Sequence, residues 1–108
     1  MKLYGIPTCD TCRKAMKDLE QAGKDVTFID LRKDGLPQPK AERFHDAFGP
    51  AIVNRRSTTW RQLSESDRDG DAVELILAHP TLMKRPVIEE DEALYLGWTA
   101  ETRAALLG

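Results

Sequence analysis

The sequence predicts an α/β domain whose elements run β-α-β, then several helices, then β-β-α. Three observations predict it. A short apolar run at the start passes into a segment of helical spacing and then into a second apolar run, a β-α-β unit within about 30 residues. The middle of the chain carries its apolar residues at helical intervals. Two further short apolar runs follow, joined by an acidic turn, and a capped helix closes the chain.

Each element has its own local warrant. Lys2 to Ile6 reads as the first strand. Thr11 to Ala22 reads as a helix with Cys12, Ala15, Met16 and Leu19 on one face, and Gly23 is its expected stop. Asp25 to Leu31 reads as the second strand, with Val26, Phe28 and Ile29 as its apolar members. After the turn Asp34-Gly35-Leu36-Pro37, the residues Ala41, Phe44 and Phe48 share a helical face that ends at Gly49-Pro50. A short helix is expected over Ser57 to Leu63, and Asp69-Gly70 marks a break. Asp71 with Glu74 forms a capping pattern ahead of Val73, Ile76 and Leu77, and Pro80 ends that helix. Pro86 to Glu89 and Ala93 to Leu96 read as strands around Glu90-Asp91-Glu92, and Thr99 caps a helix that carries Leu106 and Leu107. No repeat, low-complexity segment or linker divides residues 1–108. One domain is expected, with the helices of about 35–84 inserted between the second and third strands.

Composition narrows the function. The 108 residues are 41% hydrophobic and 31% charged, within the range of ordinary globular chains. A formal net charge of -2 argues against a dedicated nucleic-acid binder, so no direct nucleic-acid contact is expected. No stretch approaches the roughly 20 apolar residues of a membrane span. The first strand starts almost at Met1, which leaves no room for a signal peptide, and a cytoplasmic location is the expectation. Thiols are kept reduced in that compartment, so a CxxC pair there points to catalysis or metal binding rather than to a structural staple.

The chain has two cysteines, in Tyr4-Gly5-Ile6-Pro7-Thr8-Cys9-Asp10-Thr11-Cys12-Arg13-Lys14, where the first strand hands over to the first helix. Unpaired N–H groups and the helix dipole favour a thiolate at such a position. Cys9 is therefore the candidate nucleophile. Its pKa is expected to be lowered by the helix N-terminus and by Arg13, against the like charge of Asp10. Cys12, on the inward face with Ala15 and Met16, is suited to resolving a mixed disulfide. A structural zinc site would need four ligands, and His45 and His79 read as surface or cap residues, so no metal is expected. Arg13, Arg56 and Arg85 are the candidate anion binders, able to grip glutathione carboxylates or an arsenate-like anion, with Pro86 beside them in the candidate binding set. Arg55, Arg61 and Lys84 read as solvated surface charge. Packing is the expected role of Trp60 and Trp98.

In four blocks the chain resembles the arsenate reductase–Spx family, which includes ArsC, Spx and the YffB-type proteins. The blocks are the cysteine loop through Lys14, Arg56-Ser57-Thr58-Thr59-Trp60-Arg61-Gln62-Leu63, His79-Pro80 through Arg85-Pro86-Val87-Ile88, and Leu96-Gly97-Trp98. The resemblance implies a thioredoxin-like fold with a helical insertion, Cys9 as nucleophile, and an oxyanion pocket made by the cysteine loop with Arg56 and Arg85. It also implies a cis peptide bond at Pro86, placed opposite the cysteine.

Two departures sort the subgroups. The arsenate reductases carry a further Arg before the last helix, where this chain has Leu96-Gly97-Trp98. They also have a single cysteine in the first loop, followed by Ser-Arg, where this chain has Cys12-Arg13. The pattern is closest to the YffB type, which implies a thiol-dependent oxidoreductase with glutathione as co-substrate and no bound cofactor. The other implied partners are a thiol–disulfide protein or, by analogy with Spx, the α-subunit of RNA polymerase. A monomer is the expectation. The alternatives are an arsenate reductase proper and a redox-sensing regulator.

Overall fold

A computed structural model describes residues 1–108. The protein is α/β, and its chain divides into two units, one of Met1–Asp30 with Arg85–Gly108 and the other of Leu31–Lys84.

The first unit holds a four-stranded sheet and two helices. The strands are β1 (Lys2–Gly5), β2 (Thr27–Asp30), β3 (Val87–Glu90) and β4 (Ala93–Leu96), in the order β2-β1-β3-β4. β1 and β2 run parallel, as a β-α-β crossover requires, and the other two pairings are antiparallel. The register lines up Phe28, Leu3, Ile88 and Tyr95 as one row across the sheet. Helix α1 (Asp10–Gln21) lays its buried stripe of Cys12, Ala15 and Leu19 against Leu3 and Ile88. Leu106 of the closing helix, Ala100–Leu107, joins the same core.

The ends of α1 follow from local chemistry. Gly23 adopts φ +79, a conformation that costs glycine little, and its N–H returns to the Glu20 carbonyl. Trp98 packs on this core and donates its indole N–H to Asp18 Oδ2 at 3.0 Å, the packing role expected of it. Asp91, at φ +53, takes the left-handed position in the β3–β4 turn, which short polar side chains tolerate.

Strand β2 is shorter than expected. It stops at Asp30, paired with Gly5, because β1 stops there too; the chain after Gly5 bends so that Cys9 N–H donates to the Ile6 carbonyl. Leu31 therefore opens a helix, α2 (Leu31–Asp34), rather than closing a strand. The helical segment between β2 and β3 begins at 31, not 35.

The second unit is built from short helices: α2, α3 (Gln38–Phe48), α4 (Thr58–Gln62), α5 (Glu65–Arg68) and α6 (Ala72–Ala78), with 3-10 turns at Gly49–Ile52 and Pro80–Leu82. Leu31 of α2, Ala41 and Phe44 of α3, Ile76 of α6, and Ile52, Leu82 and Met83 are its fully buried members. A single β-bridge, Val53 with Met83, ties the two 3-10 segments, helped by the Asn54 N–H to Leu82 carbonyl bond of 2.9 Å. Helix α5 carries no buried residue and no apolar periodicity, so nothing in its pattern predicted it; Ser64 starts it by accepting the Asp67 N–H.

Candidate functional site

The loop between β1 and α1 sets up the site. Gly5 ends the strand beneath Cys12, and a Cβ at Gly5 would overlap the Cys12 sulfur. The absence of a side chain there is what lets α1 seat Cys12 fully inside the core. Pro7 and Thr8 turn the chain, and Cys9 arrives as the N-cap of α1 in an extended conformation, with its carbonyl accepting the Arg13 N–H at 3.0 Å. Cys9 is half-buried and Cys12 is buried, and both are free thiols.

The two sulfurs have opposite electrostatics although one helical turn separates them. Partial burial alone would raise the Cys9 pKa. The Cys12 backbone N–H, the Cys12 thiol and the Arg85 guanidinium outweigh it and hold Cys9 below the ordinary value of 9.0. The neutral Cys9 thiol makes no capping bond of its own. As a thiolate it draws on the Cys12 N–H, which is an orphan donor of the first turn. Burial pushes Cys12 up to about 12, opposed by the Ile6 backbone and reinforced by the Cys9 charge beside it. Cys9 thus ionises more readily than an ordinary thiol, while Cys12 keeps its proton at neutral pH.

The cation that acts on Cys9 is Arg85 rather than Arg13. Arg13 is exposed on the next turn of α1 and reaches Asp10 at 3.8 Å. That pairing occupies both of the charges expected to compete for the thiol. Arg85 comes from the strand side, immediately ahead of Pro86, and the Arg85–Pro86 bond is cis. Pro86 is buried and its carbonyl accepts the Gly97 N–H at 2.7 Å. The structure thus brings Cys9, Cys12 and Arg85 together.

Arg56 belongs to the other unit. There it is exposed, its N–H bonds to Asn54 Oδ1 at 3.1 Å, and it lines a cavity of about 540 Å³ with Arg55, Lys84 and Asn54. Arg55 is more than solvated charge: its guanidinium lies 5.6 Å from the centre of the Trp60 ring, and that of Arg68 lies 5.5 Å from the same ring. Arg68 also donates from Nε to the Trp60 carbonyl at 3.2 Å. Sequence reading missed this cluster, since the spacing of Arg55, Trp60 and Arg68 follows no single helical face. His79 terminates α6 and His45 lies within α3.

Known proteins share the sequence and fold of this chain. The model of the ArsC family matches residues 4–106. An uncharacterized protein of Haemophilus influenzae is 37% identical over 101 residues, covering 89% of each chain. The global transcriptional regulator Spx of Bacillus subtilis is 29% identical over 107 residues, covering 92% of this chain and 80% of Spx. Among solved structures, the YFFB protein superposes with a TM-score of 0.92 at 35% identity, covering 99% of this chain and 98% of that one. An arsenate reductase-related protein of Brucella melitensis gives 0.74 at 40% identity, over 96% and 91%. The chain therefore belongs to the ArsC family and has its thioredoxin-like fold.

Proposed function

We propose that the protein is a thiol-dependent oxidoreductase in which Cys9 attacks a disulfide, Cys12 resolves the product, and glutathione restores the dithiol. The observation that carries this reading is the pairing of a pKa-lowered Cys9, beside Arg85, with a buried and protonated Cys12 one turn away.

The chemistry balances as follows. The Cys9 thiolate attacks one sulfur of R–S–S–R′, forming Cys9–S–S–R and expelling R′–S⁻. That attack consumes the negative charge that helps to hold the Cys12 proton in place. R′–S⁻ takes a proton from solvent and becomes R′–SH. Cys12 gives up its proton to solvent as its sulfur attacks the Cys9 sulfur, releases R–S⁻ and closes a Cys9–Cys12 disulfide. Two glutathione thiols reduce that disulfide and leave as glutathione disulfide, carrying the two electrons. Arg85 and the first-turn N–H groups stabilise sulfur charge at the start and the end of the cycle.

The test is glutathione-coupled disulfide exchange by single-site variants. Cys9→Ser is expected to lose exchange by at least about a hundredfold, since an alcohol is no thiolate at neutral pH. Cys12→Ser should complete the first step and accumulate a mixed disulfide on Cys9, visible by mass spectrometry. Wild-type turnover in Cys9→Ser would end the proposal.

A second reading draws on the Spx relatives, whose names describe global transcriptional regulators. The same dithiol would then be a sensor whose disulfide alters a face of this protein that binds RNA polymerase. Capture of polymerase by the reduced or the oxidised protein only, together with absent turnover, would favour that reading over the enzyme.

A further inference from the structure

The proposed reaction uses the N-terminal end of α1 and leaves the flank of that helix unexplained. An open groove of about 460 Å³ runs there, between α1 and β2. Its floor is Met16 and Phe28, both half-buried against the core, and its lip is Pro7, two residues ahead of Cys9. Arg13, Lys17 and Glu20 form the rim. Cys9, Arg13, Met16 with Lys17, and Glu20 succeed one another at steps of three and four, so the groove follows one face of α1 away from the thiol.

We infer that this groove receives a polypeptide segment bearing the disulfide under attack, seating a large apolar side chain of that segment on Met16 and Phe28 and an acidic one against Lys17. The inference rests on the thiol oxidoreductase reading and names its substrate class.

Three considerations support it. The first is chemical fit. Glutathione has carboxylates, amides and a thiol but no apolar side chain, so neither it nor an oxyanion gains by covering a methionine and a phenylalanine. A thioether floor is also adaptable, which suits a surface that takes several sequences. The second is charge. Lys17 is exposed and makes no ion pair, whereas Arg13 reaches Asp10 and Lys14 reaches Asp18. The free cation on the rim is the one beside the apolar floor. The third is reach. Met16 is seven residues beyond Cys9, about 10 Å along the helix, and an extended chain at ~3.3 Å per residue covers that in about three residues. The cysteine of such a segment can therefore meet Cys9 while a side chain about three positions away fills the groove.

In the reaction, the Cys9 thiolate attacks the peptide sulfur of a peptide–glutathione mixed disulfide. Glutathione thiolate leaves, and Cys12 then releases the peptide thiol as the Cys9–Cys12 disulfide closes. The probe is a short synthetic peptide whose cysteine is disulfide-linked to glutathione, with phenylalanine about three positions away and aspartate next to it. A second peptide has serine in place of the phenylalanine, and glutathione disulfide is the small reference substrate. Wild type is expected to prefer the first probe over glutathione disulfide in kcat/KM. That preference should fall about tenfold in Lys17→Glu, in Met16→Gln and with the serine probe. Lys17 is on the surface, so its variant reads the groove without disturbing the fold. An equal ratio for all probes, or a ratio unmoved by both variants, overturns the inference while exchange itself persists. A thiol-free version of the peptide, titrated onto Cys9→Ser, separates the two claims. Its binding, weakened by Lys17→Glu, supports the groove even where exchange is absent, and no binding overturns it.

Discussion

The two units differ in how three short helices and one long one begin; outside that contrast, α3 starts at Pro37 with no side-chain cap and Thr99 caps the closing helix of the sheet unit. In the unit of residues 31–84, Ser57, Ser64 and Asp71 each accept first-turn N–H groups with a side-chain oxygen. These are ordinary caps, and they let helices of four to seven residues persist although few of their side chains are buried. The longest helix of the other unit starts at Cys9, whose neutral side chain caps nothing. Serine or aspartate at that position would satisfy the helix better. A sulfur there leaves the N–H groups available to a thiolate instead. The helical unit thus uses three of its helix starts for stability, whereas the sheet unit, with its closing helix capped by Thr99, leaves the start of α1 available for chemistry and relies there on core packing through Leu3, Leu19 and Ile88.

The largest effect expected from this contrast concerns Cys12. Its raised pKa means that the fold favours the protonated thiol. The resulting stability is complete below the ordinary value of 9.0 and is lost as pH rises towards about 12. In urea titrations the advantage of wild type over Cys12→Ala should shrink by a few kcal/mol across that window. An advantage independent of pH would mean that Cys12 is not sealed in.

Gly5→Ala should cost about 1–3 kcal/mol, because its methyl group needs the space of the Cys12 sulfur. Most of that loss should disappear when Cys12→Ala is combined with it. A double-mutant cycle by chemical denaturation measures this, and strict additivity would contradict the contact.

Asp71→Ala removes the acceptor of the Val73 and Glu74 N–H groups and should cost about 0.5–2 kcal/mol. Cys9→Ser is expected to move the opposite way, gaining about 0.5 kcal/mol as an oxygen cap replaces sulfur, even as exchange is lost. Equal losses in the two variants would erase the distinction between the Asp71 and Cys9 caps.

The smallest effect separates the two arginines near the thiol. Arg85→Ala should slow iodoacetamide alkylation of Cys9 at neutral pH by roughly threefold to tenfold, through a rise in its pKa. Arg13→Ala should leave that rate close to wild type, and a reversed order would restore Arg13 to the role the sequence suggested.

Local pattern determined most of the architecture. The short apolar run around Leu3, the three-and-four spacing of Cys12, Ala15 and Leu19, and the oxygen of Thr99 act within a turn or two of chain, so residue order alone exposes them. The same reasoning found Cys9 at a helix start and Cys12 on the inward face. Other features needed partners distant in sequence. Leu31 looks like strand, yet β2 ends where β1 stops offering a ladder. Helix α5 has a cap but no apolar face to reveal it. Arg13 is near Cys9 in the chain, but its fork meets Asp10, and the cation beside the sulfur comes from Arg85, more than seventy residues later. Electrostatic influence depends on distance and burial, and only the folding of β3 beside β1 sets those two quantities for Arg85 and Cys9.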